Sequence, residues 1–256
     1  MSKKTIKGET PLPLGAKLRY GAYLPHITSD NGIYSLTFRL ADSLPQSVVI
    51  AWRQERDEII AKAAELGQEL TKAEDDQLKR LFSERVENYL DAGAGECWMK
   101  NPAIADLVES ALKHFDQERY ELLCWCVMPN HVHVVVQPHP ALELSDIEHS
   151  WKSYTAHHAN KLLRRSGVFW QPEPYDHLIR DEEDLEHSIE YILANPRAAG
   201  LLNWRWVGIS NKITEILNRG SGVPPVSSVV PSVSSVVPYS PQPNNDTDSK
   251  IRRHPR

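Results

Sequence analysis

His131 and His133 stand two residues apart in PNHVHVVVQ, and Tyr154 follows in WKSYTAHHAN. In an extended strand successive side chains alternate between faces, so residues two apart project together and these imidazoles can grip one cation. Met128-Pro129-Asn130 supplies a turn before them, and Val134, Val135 and Val136 continue the strand. Tyr154 offers a phenol that can act as a nucleophile beside that ion. His158 lies four residues further on, about 40° around a helix axis, so the two side chains face the same way. On this reading His131, His133 and His158 form a three-imidazole metal site with positions open for a phosphate oxygen. That chemistry is metal-assisted cleavage of a phosphodiester. Each piece also has a plain alternative. A histidine pair on an apolar strand serves equally as core, half-buried tyrosines are common, and Cys124 and Cys126 suit small core positions as well as a zinc site.

Positioning these groups needs a strand, a turn and a helix, and the surrounding sequence supplies them. Tyr120 to Val127 (YELLCWCV) is a continuous apolar run of strand length, and with 131–137 it predicts a hairpin buried on both faces. Ser145-Asp-Ile-Glu148 reads as a capping box opening a helix that runs to about Arg165 and stops near Gly167. Ile147, Trp151 and Leu162 lie on roughly the same stripe as Tyr154 and His158, which predicts docking of that stripe onto the histidine strand. Upstream, Tyr34 to Leu40 alternates as a first strand, and Asn101-Pro102 opens a helix with an apolar stripe from Ile104 to Phe115. A short strand is expected around Tyr175 to Arg180, then a helix from Glu182 to Ala194 ended by Asn195-Pro196.

Composition is that of an ordinary globular protein, with 41% hydrophobic and 25% charged residues. No apolar run approaches the roughly 20 residues needed to span a bilayer. The lysine-bearing start lacks an apolar signal core, and three cysteines fit a reduced compartment, so a cytoplasmic protein is expected. The net charge of −5 is unevenly placed. Residues 54–96 carry twelve acids and six bases, while residues 151–180 hold a local +3. That local sign is what steers a polyanion. Lys152, Lys161, Arg164 and Arg165 are candidates for the phosphates of such a polyanion, Trp170 and Trp151 for stacking on bases, and Arg197 for either a ligand-facing or a structural role. Three regions are expected: an extension at 1–30, a domain at 31–210 with a charged helical insertion at about 50–95, and a low-complexity tail at 219–256. The tail repeats VSSVVP, cannot bury a core, and is expected to be disordered.

PNHVHVVVQ, then WKSYTAHHANKLLRRSGVFWQ, then YDHLIRDEEDLEHSIEYILANPRAAGL resembles the REP-associated tyrosine transposases, of the single-tyrosine HUH class. The resemblance covers about residues 30–207 and is strongest from 120 to 203. It implies an α+β fold, a ferredoxin-like sandwich with a central antiparallel sheet carrying the histidines and a helix carrying the nucleophile. It implies single-stranded DNA hairpins as partners, REP-like palindromes, with Mn2+ or Mg2+ as cofactor and a 5′-phosphotyrosine intermediate. By that match His131 and His133 correspond to metal ligands and Tyr154 to the nucleophile. The family's third ligand is usually an amide four residues after the tyrosine, where this chain has His158. Three imidazoles favour softer ions than magnesium. A hairpin-binding module without catalysis, and a metal-dependent hydrolase using HVH with a bound water, are the alternative functions. Monomer and homodimer both remain open.

Overall fold

The fold is seen in a computed structural model describing residues 17–20, 25–29, 31–45, 47–51, 54, 55, 58, 61, 89, 90 and 92–220. Along the chain run β1 (Lys17–Tyr20), β2 (Pro25–Thr28), β3 (Tyr34–Arg39), α1 (Pro102–His114), β4 (Tyr120–Val127), β5 (His131–Pro138), α2 (Leu144–Leu162), β6 (Tyr175–Leu178), α3 (Glu182–Ala198), β7 (Val207–Ile209) and α4 (Asn211–Gly220). Helix is seen at 47–51, but most of the expected insertion and all but two residues of the tail lie outside the described residues.

Five strands form one antiparallel sheet in the order β6-β3-β5-β4-β7. Without β7, the chain order β3-α1-β4-β5-α2-β6 and the strand order β6-β3-β5-β4 are those of a ferredoxin-like sandwich, as expected. The short hairpin of β1 and β2, the edge strand β7 and helix α4 extend it beyond the motif reading.

The two faces of the sheet are covered by different helices, and this decides where the chemistry can sit. Val132, Val134 and Val136 share one core with Ile104 and Val108 of α1 and Ile147, Trp151 and Ala159 of α2. Alternation sends His131, His133 and Val135 to the other face. There Val135 shares a second core with Ile189 and Ile192 of α3. A register shift between Leu122 and Cys124 in β4 lets Leu123 and Cys124 both join that second core. The β4–β5 hairpin is thus buried on both faces, as its apolar run requires.

Two local expectations change. Helix α2 starts at Leu144 after Glu143, which makes no side-chain cap, so Ser145 lies inside the helix rather than capping it, and Glu148 accepts from Lys152 Nζ at 2.7 Å. Helix α3 does not stop at Asn195-Pro196 but runs through Pro196 to Ala198. Its continuation keeps Asn195 on the helix, one turn after Tyr191.

Candidate active site

His131 opens β5 directly after a turn whose Asn130 is fully buried. Asn130 Nδ2 donates to the carbonyls of Leu90 and Ala94 at 3.1 and 2.9 Å, which fixes the amide orientation. Its Oδ1 then accepts from His131 Nδ1 at 2.8 Å, so the Nδ1–H tautomer is assigned and Nε2 carries a lone pair. His133 Nδ1 meets the Thr37 hydroxyl at 2.8 Å across the β3–β5 pairing. The two Nε2 atoms converge at 2.9 Å. A hydroxyl can donate or accept, so Thr37 serves His133 both when its Nε2–H donates to His131 and when both lone pairs face a cation. Burial holds both imidazoles neutral. It pushes His131 well below the ordinary histidine range and His133 down to about 4, with mutual repulsion adding to the effect at His131.

The helix over this pair is α3, not α2. The Tyr191 ring lies 5.4 Å from the His133 ring, nearly perpendicular to it, and is 37% exposed. Asn195, one turn further, is buried, and its Oδ1 has no hydrogen-bond partner. An orphaned buried amide oxygen is costly unless something fills its coordination. Two neutral imidazoles and an amide oxygen suit a divalent cation of the Mn2+ or Mg2+ kind, so His131, His133 and Asn195 fit such a group.

Tyr154 and His158 require correction. They lie on α2, against the opposite face of the sheet, with the sheet between them and the histidine pair. The buried stripe of α2 is Leu144, Ile147, Trp151, Thr155 and Ala159, rotated from the expected one. Thr155 wins the inward position because its hydroxyl donates to the Trp151 carbonyl and accepts from Trp170 Nε1. Tyr154 is left 51% exposed with its ring 4.1 Å from that of His158. Among the described residues no group of three or more His, Cys, Asp or Glu side chains could hold a metal ion, so the three-imidazole site does not form. Burial raises both the Cys124 and Cys126 thiols, as core positions would.

The expected DNA contacts divide. Trp151 and Trp170 are buried core residues rather than stacking platforms, since both indole N–H groups are spent on Tyr120 and Thr155. Lys152 is tied to Glu148 and to the Pro172 carbonyl. Arg165 is tied to Asn160 and the Val168 carbonyl, against the Trp98 and Phe169 rings. Lys161, Arg164 and Arg197 are exposed.

Residues 97–195 match the family model described as IS200-like transposase. That stretch is similar to the IS200-like transposases. The resemblance to REP-associated tyrosine transposases is borne out. A Haemophilus influenzae protein named as one is 26% identical over 87 residues, 30% of this chain and 49% of that protein. The chain therefore spans about half the length of that curated relative. Among solved structures, a REP-associated tyrosine transposase bound to a REP hairpin matches with a TM-score of 0.40 and 16% identity. That match covers 72% of this chain and 75% of the other. A Deinococcus radiodurans protein assigned as a transposase gives 0.25 and 14%, covering 64% and 88%. The fold rests on the chain's own strand order. The matched region spans both Tyr154 and Tyr191, so the arrangement around the histidines chooses between them. The motif reading passes over Tyr191 and Asn195, although YILAN sets a tyrosine and an amide at the four-residue spacing that the resemblance implies.

Among the described residues no helix is long and apolar enough to cross a membrane.

Proposed function

We propose that the chain nicks and rejoins single-stranded DNA at the foot of a hairpin, with Tyr191 as nucleophile and His131, His133 and Asn195 as cation ligands. The observation that carries this reading is the Tyr191 ring against His133, on the one face of the sheet that holds the histidine pair. When bound, the divalent cation supplies charge neutralisation at a non-bridging phosphate oxygen. Tyr191 Oη attacks phosphorus in line, the bond to the 3′ oxygen breaks, and that oxygen leaves as a 3′-hydroxyl after taking a proton. The phenolic proton passes to solvent, which reaches the exposed side of the ring. A 5′-phosphotyrosyl link remains, and a second 3′-hydroxyl can reverse the step and join a new end. Asn130 and Thr37 hold the imidazoles with their Nε2 atoms turned into the site.

Hairpin DNA as partner is supported by the family and by the charge around the site. Residues 151–172 contain no carboxylate but two lysines and two arginines, of which Lys161 and Arg164 are exposed. The loop after α2 is tied to the end of β3 by Ala41 N to the Phe169 carbonyl and Gln171 N to the Arg39 carbonyl. Arg39 pairs in register with His131, so the basic end of α2 and the histidine pair share one end of the sheet.

The test is covalent adduct formation on a 3′-labelled hairpin oligonucleotide, read on a denaturing gel. Tyr191→Phe is expected to abolish the adduct and Tyr154→Phe to retain it; the reverse result overturns the assignment. In a Mn2+ titration of the same assay, Asn195→Ala should need about 10–100-fold more cation, the scale on which shell residues act, while His158→Gln should match wild type. An adduct absent from wild type with intact hairpin binding would leave a non-catalytic binding module.

A further inference from the structure

Helix α3 packs on the sheet through Ile189 and Ile192, with Leu185 and Leu193 beside them and the Tyr191 ring against His133. Apolar contact is non-directional, so it does not by itself set where a phenol points. A directional contact lies two turns upstream. His177 of β6 places Nε2 2.8 and 3.0 Å from the two carboxylate oxygens of Asp184 in the first turn of α3. Asp184 Oδ2 also accepts from the Arg180 backbone N–H at 3.0 Å, and Asp184 N–H donates to Asp181 Oδ1 at 2.9 Å. The carboxylate is held from strand and helix together.

Asp184, Tyr191 and Asn195 are seven and eleven residues apart, which at 3.6 residues per turn puts all three within about 20° of one line along α3. On the sheet, His177 pairs with Ser35, two residues before Thr37, whose hydroxyl holds His133. A closed circuit therefore runs from Asp184 to His177, across β6 and β3 to Thr37 and His133, and back through Tyr191 to the same helix. We infer that the His177–Asp184 pair is a positioning clamp that sets the roll of α3, so that the Tyr191 oxygen is delivered to the histidine pair. The inference rests on Tyr191 being the nucleophile. A roll of about 20° would move a phenol oxygen roughly 9 Å from the helix axis by about 3 Å. Misplacement by even about 1 Å can cost about 100-fold in rate. His177 and Asp184 are positioning residues and touch no reacting atom in this scheme.

The experiment is single-turnover adduct formation by the full chain on a 3′-labelled hairpin oligonucleotide, with hairpin affinity and melting temperature measured on the same proteins. His177→Ala is expected to slow adduct formation at least about 10-fold while hairpin Kd stays within about threefold of wild type. His177→Gln, whose amide N–H can donate to Asp184, should recover most of the rate. Asp184→Asn keeps an acceptor for His177 and should stay close to wild type even where Asp184→Ala fails to fold. The double variant H177A/D184N should be no slower than H177A alone, because both act through one contact. A His177→Ala rate within twofold of wild type overturns the clamp, as does a slowing that His177→Gln does not relieve. Persistence of the adduct in Tyr191→Phe would instead remove the reading beneath it, and the clamp with it. Loss in Tyr191→Phe together with an unslowed His177→Ala removes the clamp alone.

Discussion

At the scale of single residues, the histidine pair makes the site and also sets a pH dependence. The folded chain buries both imidazoles neutral, while in the unfolded chain they titrate near 6.5. Their folded pKa values are depressed, so the unfolded state binds more protons as the pH drops below 6.5. Stability of the cation-free protein should therefore be full above pH 6.5 and fall as the pH drops towards about 4, where His133 also protonates in the fold. The loss from His133 alone is about 3 kcal/mol over that window, at about 1.4 kcal/mol per pH unit. Urea midpoints measured between pH 7 and 4 check this. His133→Gln should flatten the slope, and an unchanged slope would mean that His133 does not stay neutral in the fold.

At the scale of elements, the aromatic residues of α2 and its following loop belong to packing. Trp151 and Trp170 flank Phe38 of β3, and Trp170 closes over Thr155. Trp170→Ala should cost about 3–5 kcal/mol, the usual range for emptying a buried tryptophan site, and lower the melting temperature by about 10 °C. Trp170→Phe keeps one aromatic ring but loses the N–H to Thr155 and part of the indole volume, and should cost less than the alanine change, about 2 kcal/mol. Hairpin affinity of the folded variants should remain that of wild type. A selective loss of DNA binding at unchanged melting temperature would return Trp170 to the DNA surface. Helix α3 differs from α2 in that its inward stripe carries the polar Asn195 among isoleucines, where α2 carries only Thr155, already bonded.

For the molecule as a whole, charge is segregated: residues 151–172 hold no carboxylate, the loop that follows α2 is tied to the His131 end of the sheet, and the net negative charge resides largely in residues 54–96. Lys161→Glu with Arg164→Glu should weaken hairpin binding and reduce the slope of log affinity against log salt by about 2, one for each phosphate contact removed. Fluorescence anisotropy across a salt series measures it, and an unchanged slope would move the DNA path elsewhere.

Local chemistry made much of this architecture legible in the sequence. The apolar run 120–127, the turn at 128–130 and the alternation through 131–137 are dictated by short-range rules of period and turn residues, and the hairpin follows them. The ferredoxin-like sandwich is what the resemblance implies, and the observed strand order bears it out. What local rules do not specify is which helix covers which face of a sheet that is buried on both sides. Tyr154–His158 and Tyr191–Asn195 share one spacing, and either pair could sit over the histidines as far as periodicity goes. Only tertiary packing separates them. The strand alternation that points Val132, Val134 and Val136 at α1 and α2 necessarily points His131 and His133 at α3, and the inward turn of Thr155 leaves Tyr154 in solvent.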